Sequence, residues 1–162
     1  MRPDLFTIRR TGPGTLSTMA RPRGGDWLAD EMSGLSLAGV RVLVSLLSDA
    51  EMNELELSNE TETAQAAGLV FYRLPTPDRH VPDRSAGLAL AGMLRSHLAD
   101  GASIAIHCRN GIGRASTLAA IVLVLEGVDP RQAWELISAA RGLSVPDTDA
   151  QRDFILRLRA AE

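Results

Sequence analysis

Lysine is absent from this 162-residue chain: all 17 basic residues are arginine. Any cation in a site must then be an always-charged, planar guanidinium. The Gly-rich nucleotide-binding loop that depends on a lysine is excluded as well. Basic charge is scarce overall, since 17 arginines face 20 acidic residues and leave a net charge of −3. A nucleic-acid-binding surface is normally basic, so no nucleic-acid partner is expected. Cysteine occurs once, at Cys108, so no intramolecular disulfide can form and a reducing compartment is expected. No apolar run is long enough to span a bilayer; the richest, Leu118 to Leu125, is far too short. The first residues lack the apolar core of a signal peptide, so the expected location is cytoplasmic, without a membrane partner. Repeats, low-complexity tracts and long linkers are also missing, which points to a single domain over residues 1–162.

What remains is an ordinary globular composition, 45% hydrophobic and 23% charged, in a chain long enough to bury a core. Leu5 to Ile8 and Thr15 to Ala20 read as short strands around the Gly12-Pro13-Gly14 turn, and Asp26 as the cap of a helix from Trp27 to Gly34. Val40 to Leu47 is a near-continuous apolar, β-branched run, the pattern of a strand buried on both faces. Ser48 and Asp49 offer a cap for a Glu-rich helix, and Asn59 with Glu62 repeats the capping pattern before Thr63 to Ala67. Leu69 to Leu74 reads as the next strand. Pro75 to Asp83 is loop, because its prolines remove backbone donors. Helical periodicity covers Arg84 to Ala99, a further buried strand Ala102 to Ile106, and helices Arg114 to Glu126, Pro130 to Ala140 and Thr148 to Ala160. Alternating helices and buried strands imply an α/β domain, with a central, mostly parallel sheet flanked by helices.

The chemistry concentrates in Ser103 to Ala120, where a buried strand runs into His107-Cys108, a glycine-containing turn, and Arg114 at the start of an apolar helix. A loop winding into a helix N-terminus points several backbone N–H groups into one concavity, where the helix dipole also favours an anion. Gly111 and Gly113 permit the close approach such a cradle requires. The same field favours the thiolate of a cysteine placed inside it. Arg114 supplies a fork that can bind two phosphoryl oxygens. A lone buried cysteine is often only a small core hydrophobe; the strand before this one, the glycines and the helix after it set it apart.

The stretch HCRNGIGR fits the His-Cys-x5-Arg signature and resembles the protein tyrosine and dual-specificity phosphatases. GLVFYRLPTPDRHVPD and AWELISAARGLSVPDT look like segments of the compact bacterial members of that group. The resemblance runs from about Val40 to the C-terminus. It implies a phosphatase-type phosphate-binding loop between strand and helix, and a phosphomonoester hydrolase acting through a phosphocysteine on Cys108. Arg109, Asn110, Gly111, Ile112, Gly113 and Arg114 would line the phosphate, and His107 would support the thiolate from below. Asp78, in a Pro-x-x-Asp loop, would be the general acid and then the base, with Asp83 capping the next helix. Gln151 matches by chain order the residue that orients the hydrolytic water; a surface helix residue is the other reading of that position. His80 is a solvated loop residue or a substrate contact, and His97 is structural. No metal or cofactor is implied, and the expected partner is a phosphotyrosine protein or a small phosphomonoester.

One departure from the pattern stands out. The family has Ser or Thr after the arginine, whereas this chain has Ala115 and then Ser116, which points about 100° further around the helix. Slow phosphocysteine hydrolysis is therefore expected. Two competing readings stay open: a phosphate-binding module with little turnover, and a rhodanese-like sulfur carrier, in which the acid loop would have no purpose. The order of the motifs excludes the low-molecular-weight phosphatases, whose nucleophile lies near the N-terminus.

Overall fold

The computed structural model describes residues 2–158. Its centre is one five-stranded sheet in the order β1-β2-β5-β3-β4, built from β1 (Phe6–Thr7), β2 (Thr15–Met19), β3 (Val40–Ser45), β4 (Val70–Arg73) and β5 (Ser103–His107). Only the β1–β2 pair is antiparallel; β2 pairs parallel with β5, β5 with β3, and β3 with β4. This is the expected α/β architecture with a mostly parallel sheet.

Side chains alternate across the sheet, so each central strand feeds two cores. Ile104 and Ile106 of β5 pack into one cluster and Ala105 into the other. In β3, Val42 and Val44 join the first cluster and Leu43 the second. Val40 sides with Leu43 because the β3–β5 register shifts between Val40 and Val42. The second cluster is covered by α1 (Leu28–Leu37), α2 (Asp49–Glu54) and α3 (Glu60–Ala66). The first is covered by α4 (Arg84–Ala99), α5 (Arg114–Leu125), α6 (Pro130–Arg141) and α7 (Asp149–Leu156). Every residue of α5 from Arg114 to Val124 is buried, and from Leu118 on the helix is apolar on every side. It is the pillar behind the loop from Cys108 to Gly113.

The helix ends follow local chemistry. Asp83 accepts from the Ala86 N–H and starts α4 where expected. Pro130 opens α6 behind an Asp129 cap, and left-handed Gly142 closes it. Two capping expectations fail. Asp26 lies inside a 3-10 turn, Gly25–Trp27, and α1 runs beyond Gly34 because Leu28, Met32 and Leu35 form one buried stripe. Asn59 makes no side-chain cap bond, and α3 begins at Glu60, whose carboxylate turns into the protein. The last helix ends at Leu156, short of the expected Ala160, which lies outside the described residues. Among the described residues no helix is long and apolar enough to cross a membrane.

Candidate active site

The sheet brings the sequence-predicted residues to the carboxyl ends of β3 and β5, the usual ligand-binding edge of a parallel sheet. Cys108 follows β5 directly and is buried, 3% exposed. The loop then turns through Gly111, whose φ of 72° and proximity to Met19 both demand glycine: a Cβ there would lie 2.7 Å from the Met19 carbonyl oxygen. Arg109 and Ile112 are half-buried and Asn110 is exposed, so the outer rim of the loop is open. Gly113 caps α5 and packs against the carboxylate of Asp147; a Cβ at Gly113 would also come within 3.0 Å of Gln151 Nε2.

Arg114 is 1% exposed, and its guanidinium is fully engaged from one side. It donates to both oxygens of Glu51, at 2.6 Å from Nη1 and 3.0 Å from Nη2, and from Nη1 to the Thr76 carbonyl at 2.9 Å. Nη2 also lies 3.3 Å from the Asp78 carboxylate. Burial opposes the charged form of Arg114, but the Glu51 hydrogen bonds, followed by the charges of Cys108, Glu51 and Asp78, raise its pKa above the ordinary value. The cation is therefore fixed in place and orientation before any ligand arrives.

Glu51 is the partner that makes this possible, and the sequence reading missed it. Its Oε1 also accepts from the backbone and hydroxyl of Ser48 in the capping box of α2, and Arg109 Nε lies 3.3 Å from its Oε2. Burial alone would raise its pKa; the hydrogen bonds from Arg114 and Ser48, the Arg114 charge and the Arg109 bond override this and hold it at about 2. A folded-state value below the unfolded 4.5 means that its contribution to stability is present above pH 4.5 and is lost as pH falls toward 2. The loss amounts to roughly 3 kcal/mol. Denaturant unfolding between pH 6 and pH 2 is expected to show this fall in the native chain and a shallower one in Glu51→Gln; equal slopes would contradict it.

Asp78 reaches the site from the loop after β4 and remains 57% exposed, as a group on the rim would be. The neighbouring His80 is exposed, its Nδ1 facing the Asp78 carbonyl oxygen at 2.8 Å. Gln151 is fully buried, which sets aside the surface-helix reading. Its Oε1 accepts from the backbone N–H groups of Asp147 and Thr148, and its Nε2 donates to the His80 carbonyl. The amide thus ties α7 to the loop that carries Asp78 and His80. Asp147, also missed, is a second rim carboxylate. Burial first, and then the Asp78 charge, raise its pKa against the opposing pull of Arg79 and Arg114. Ala115 and Ser116 are fully buried, and the Ser116 hydroxyl has no partner among the described residues. His97 bonds the Tyr72 hydroxyl at 2.8 Å, in keeping with its structural reading.

Beneath the loop, His107 is wholly buried between two partners. Its Nδ1 lies 3.1 Å from the Cys108 carbonyl oxygen and its Nε2 2.6 Å from Glu60 Oε2. Glu60 is likewise buried and was not among the expected site residues. Its signal in the sequence is weak, a glutamate at the start of a short helix. Among the described residues no cluster of His, Cys, Asp and Glu is arranged to hold a metal ion.

The chain resembles known proteins over most of its length. Cyclin-dependent kinase inhibitor 3 of Rattus norvegicus is 24% identical over 127 residues, covering 77% of this chain and 60% of that protein. The chain thus spans about 60% of the length of the curated relatives it matches first. Kinase associated phosphatase, crystallised with its catalytic-site cysteine replaced by serine, superposes with a TM-score of 0.87 at 19% identity, over 96% of this chain and 93% of that one. Tk-PTP in its active form gives 0.77 at 19% identity, over 96% and 97%. These two likenesses establish the fold. Residues 17–128, from β2 through the Cys108 loop to the end of α5, match the family described as Tc-R-P, polymorphic toxin system, DSP-PTPase phosphatase. The match covers well over half of the sequence, so the chain belongs to this family of cysteine-dependent, dual-specificity-like phosphatases.

Proposed function

We propose that residues 1–162 act as one phosphatase domain that hydrolyses phosphomonoesters, with protein phosphotyrosine as the leading substrate class. The observation that carries this reading is the oriented Arg114, locked by Glu51 at the start of α5 beside the buried Cys108. In the first step the Cys108 thiolate attacks phosphorus. The S–P bond forms, the ester P–O bond breaks, and protonated Asp78 gives its proton to the departing oxygen. In the second, Asp78 takes a proton from water as that oxygen attacks phosphorus. The S–P bond breaks and inorganic phosphate and thiolate are released. Arg114 and the loop amides bind the phosphoryl oxygens in both steps. Gln151 is the candidate for placing the water, since its side chain lies against Gly113 and holds the acid loop. No metal or cofactor takes part in this scheme. A cytoplasmic location fits the lone, unpaired cysteine, and the acidic net charge fits a protein or small-molecule substrate better than nucleic acid. The test is metal-free hydrolysis of p-nitrophenyl phosphate by the native chain.

Ala115 favours slow release of the phosphoryl group. It is fully buried in the same cluster as Cys108, and it offers no hydroxyl to stabilise the thiolate that leaves in the second step. A hydrogen bond to a charged group is worth about 1.5–3 kcal/mol, or roughly ten- to a hundredfold in rate. Ala115→Ser is therefore expected to raise steady-state turnover within that range, measured with p-nitrophenyl phosphate. An unchanged or lower rate would count against a limiting second step.

A further inference from the structure

We propose that Glu60 is a positioning residue that keeps the His107 imidazole doubly protonated, so that a positive charge bonded to the Cys108 carbonyl favours the thiolate form of that residue. The proposal rests on the reading of Cys108 as the nucleophile. It follows from counting protons in a closed space. The Cys108 carbonyl oxygen, 3.1 Å from His107 Nδ1, can only accept, so Nδ1 carries a hydrogen. At 2.6 Å, Nε2 and Glu60 Oε2 must share a second proton. The pair is therefore neutral as a whole, either imidazolium with carboxylate or imidazole with carboxylic acid.

The adjacent sulfur decides between the two. A thiolate on the residue that follows His107 favours the positive ring, and the carboxylate behind the ring compensates it. The other charged groups around the Cys108 loop are Arg114 with its partners Glu51 and Asp78, Arg109 at the rim with Glu51 and Glu54, Asp147 against Gly113 with Arg79 acting on it, and Arg141, which donates to the Asn110 carbonyl. When the sulfur's charge is consumed in the phosphocysteine, the shared proton moves from Nε2 to Oε2 and the net charge of the pair does not change. Glu60 has no other bonding role: its Oε1 has no partner among the described residues, although the side chain is wholly buried. A carboxylate so placed costs more than an apolar side chain of the same shape. Packing therefore does not account for it, whereas its bond to the ring does.

The experiment compares native protein with Glu60→Gln. The amide keeps the shape and can donate to Nε2 of a neutral ring, but it cannot compensate a charged one. Alkylation by neutral iodoacetamide, followed against pH by mass, reads Cys108 alone because the chain has no other cysteine. The expected result is a pH midpoint raised by about one unit, or roughly tenfold less thiolate below both midpoints, with the thermal midpoint near the native one. An unchanged pH midpoint in folded Glu60→Gln would overturn the proposal. If that variant does not fold, 15N NMR of the native ring decides. Both nitrogens protonated while Cys108 is a thiolate supports the proposal, and an unprotonated Nε2 overturns it. Neither readout needs turnover, so a chain without phosphatase activity and a chain without this coupling give different results.

Discussion

Cys108→Ser is expected to abolish hydrolysis of p-nitrophenyl phosphate, a loss on the order of 10⁴-fold or more, while phosphate binding is retained. The two halves of this expectation have separate physical causes. A serine hydroxyl keeps its proton at neutral pH and has no adjacent general base, because His107 is buried beneath the loop with both ring nitrogens already engaged. Nucleophilic attack therefore fails. The binding apparatus owes little to the sulfur: Arg114 is oriented by Glu51 and Thr76, and the loop turn is fixed by Gly111 against Met19. Titration calorimetry with inorganic phosphate beside steady-state kinetics measures both. Native-level turnover in the variant would remove Cys108 from the chemistry. Loss of phosphate binding together with turnover would mean that the substitution disrupts the loop.

The second large effect belongs to Asp78→Asn. Loss of a general acid costs about 10²–10⁴-fold, and the proposed role of Asp78 predicts this for esters whose leaving oxygen needs a proton, such as phenyl phosphate. The cost shrinks as the leaving group becomes more acidic. A plot of log kcat/KM against leaving-group pKa is thus expected to steepen in the variant. An equal loss for all esters would exclude Asp78 as the acid. The structure adds a second signature. The Asp78 carboxylate lies 3.3 Å from Arg114 Nη2, where it competes with a phosphate dianion for the same cation. Replacing it with a neutral amide is therefore expected to tighten inorganic phosphate binding while kcat falls. That pattern separates a catalytic carboxylate from one that merely supports the fold.

The sequence carried the frame of the molecule well because its strongest signals are local. The strands β3 and β5 are mainly apolar runs, α4 has an Asp83 cap and a glycine after its end, and α5 is apolar on all sides from Leu118 on. The Cys108-to-Arg114 spacing is a local signal too, and so is the proline-rich loop that carries Asp78. What stayed hidden depends on long-range placement. Glu51 and Glu60 sit in a Glu-rich stretch that reads as two capped, solvated helices, yet they bond residues 63 and 47 positions away in the chain. No periodicity marks which glutamate of such a stretch turns inward. Asp147 reaches the rim through the loop between α6 and α7, and its approach to Gly113 is a property of the closed fold. Gln151 was singled out by its order in the chain, whereas its burial and its bond to the His80 carbonyl were not legible. Asp26 shows the reverse error: it is a good capping residue by type, yet it lies inside a 3-10 turn and α1 starts at Leu28, whereas Asn59 does stand at the N-cap of α3 but makes no side-chain cap bond.

Covalent phosphoryl transfer to Cys108 is the centre of this account, and rapid acid quench of the native chain during turnover, followed by mass analysis of the Cys108 peptide, tests it most directly. The account predicts a phosphoryl group on Cys108 that builds up in the first turnover, persists because Ala115 slows its release, and is missing in Cys108→Ser. Product formed with no phosphoryl group on Cys108, or with one on another residue, would contradict it.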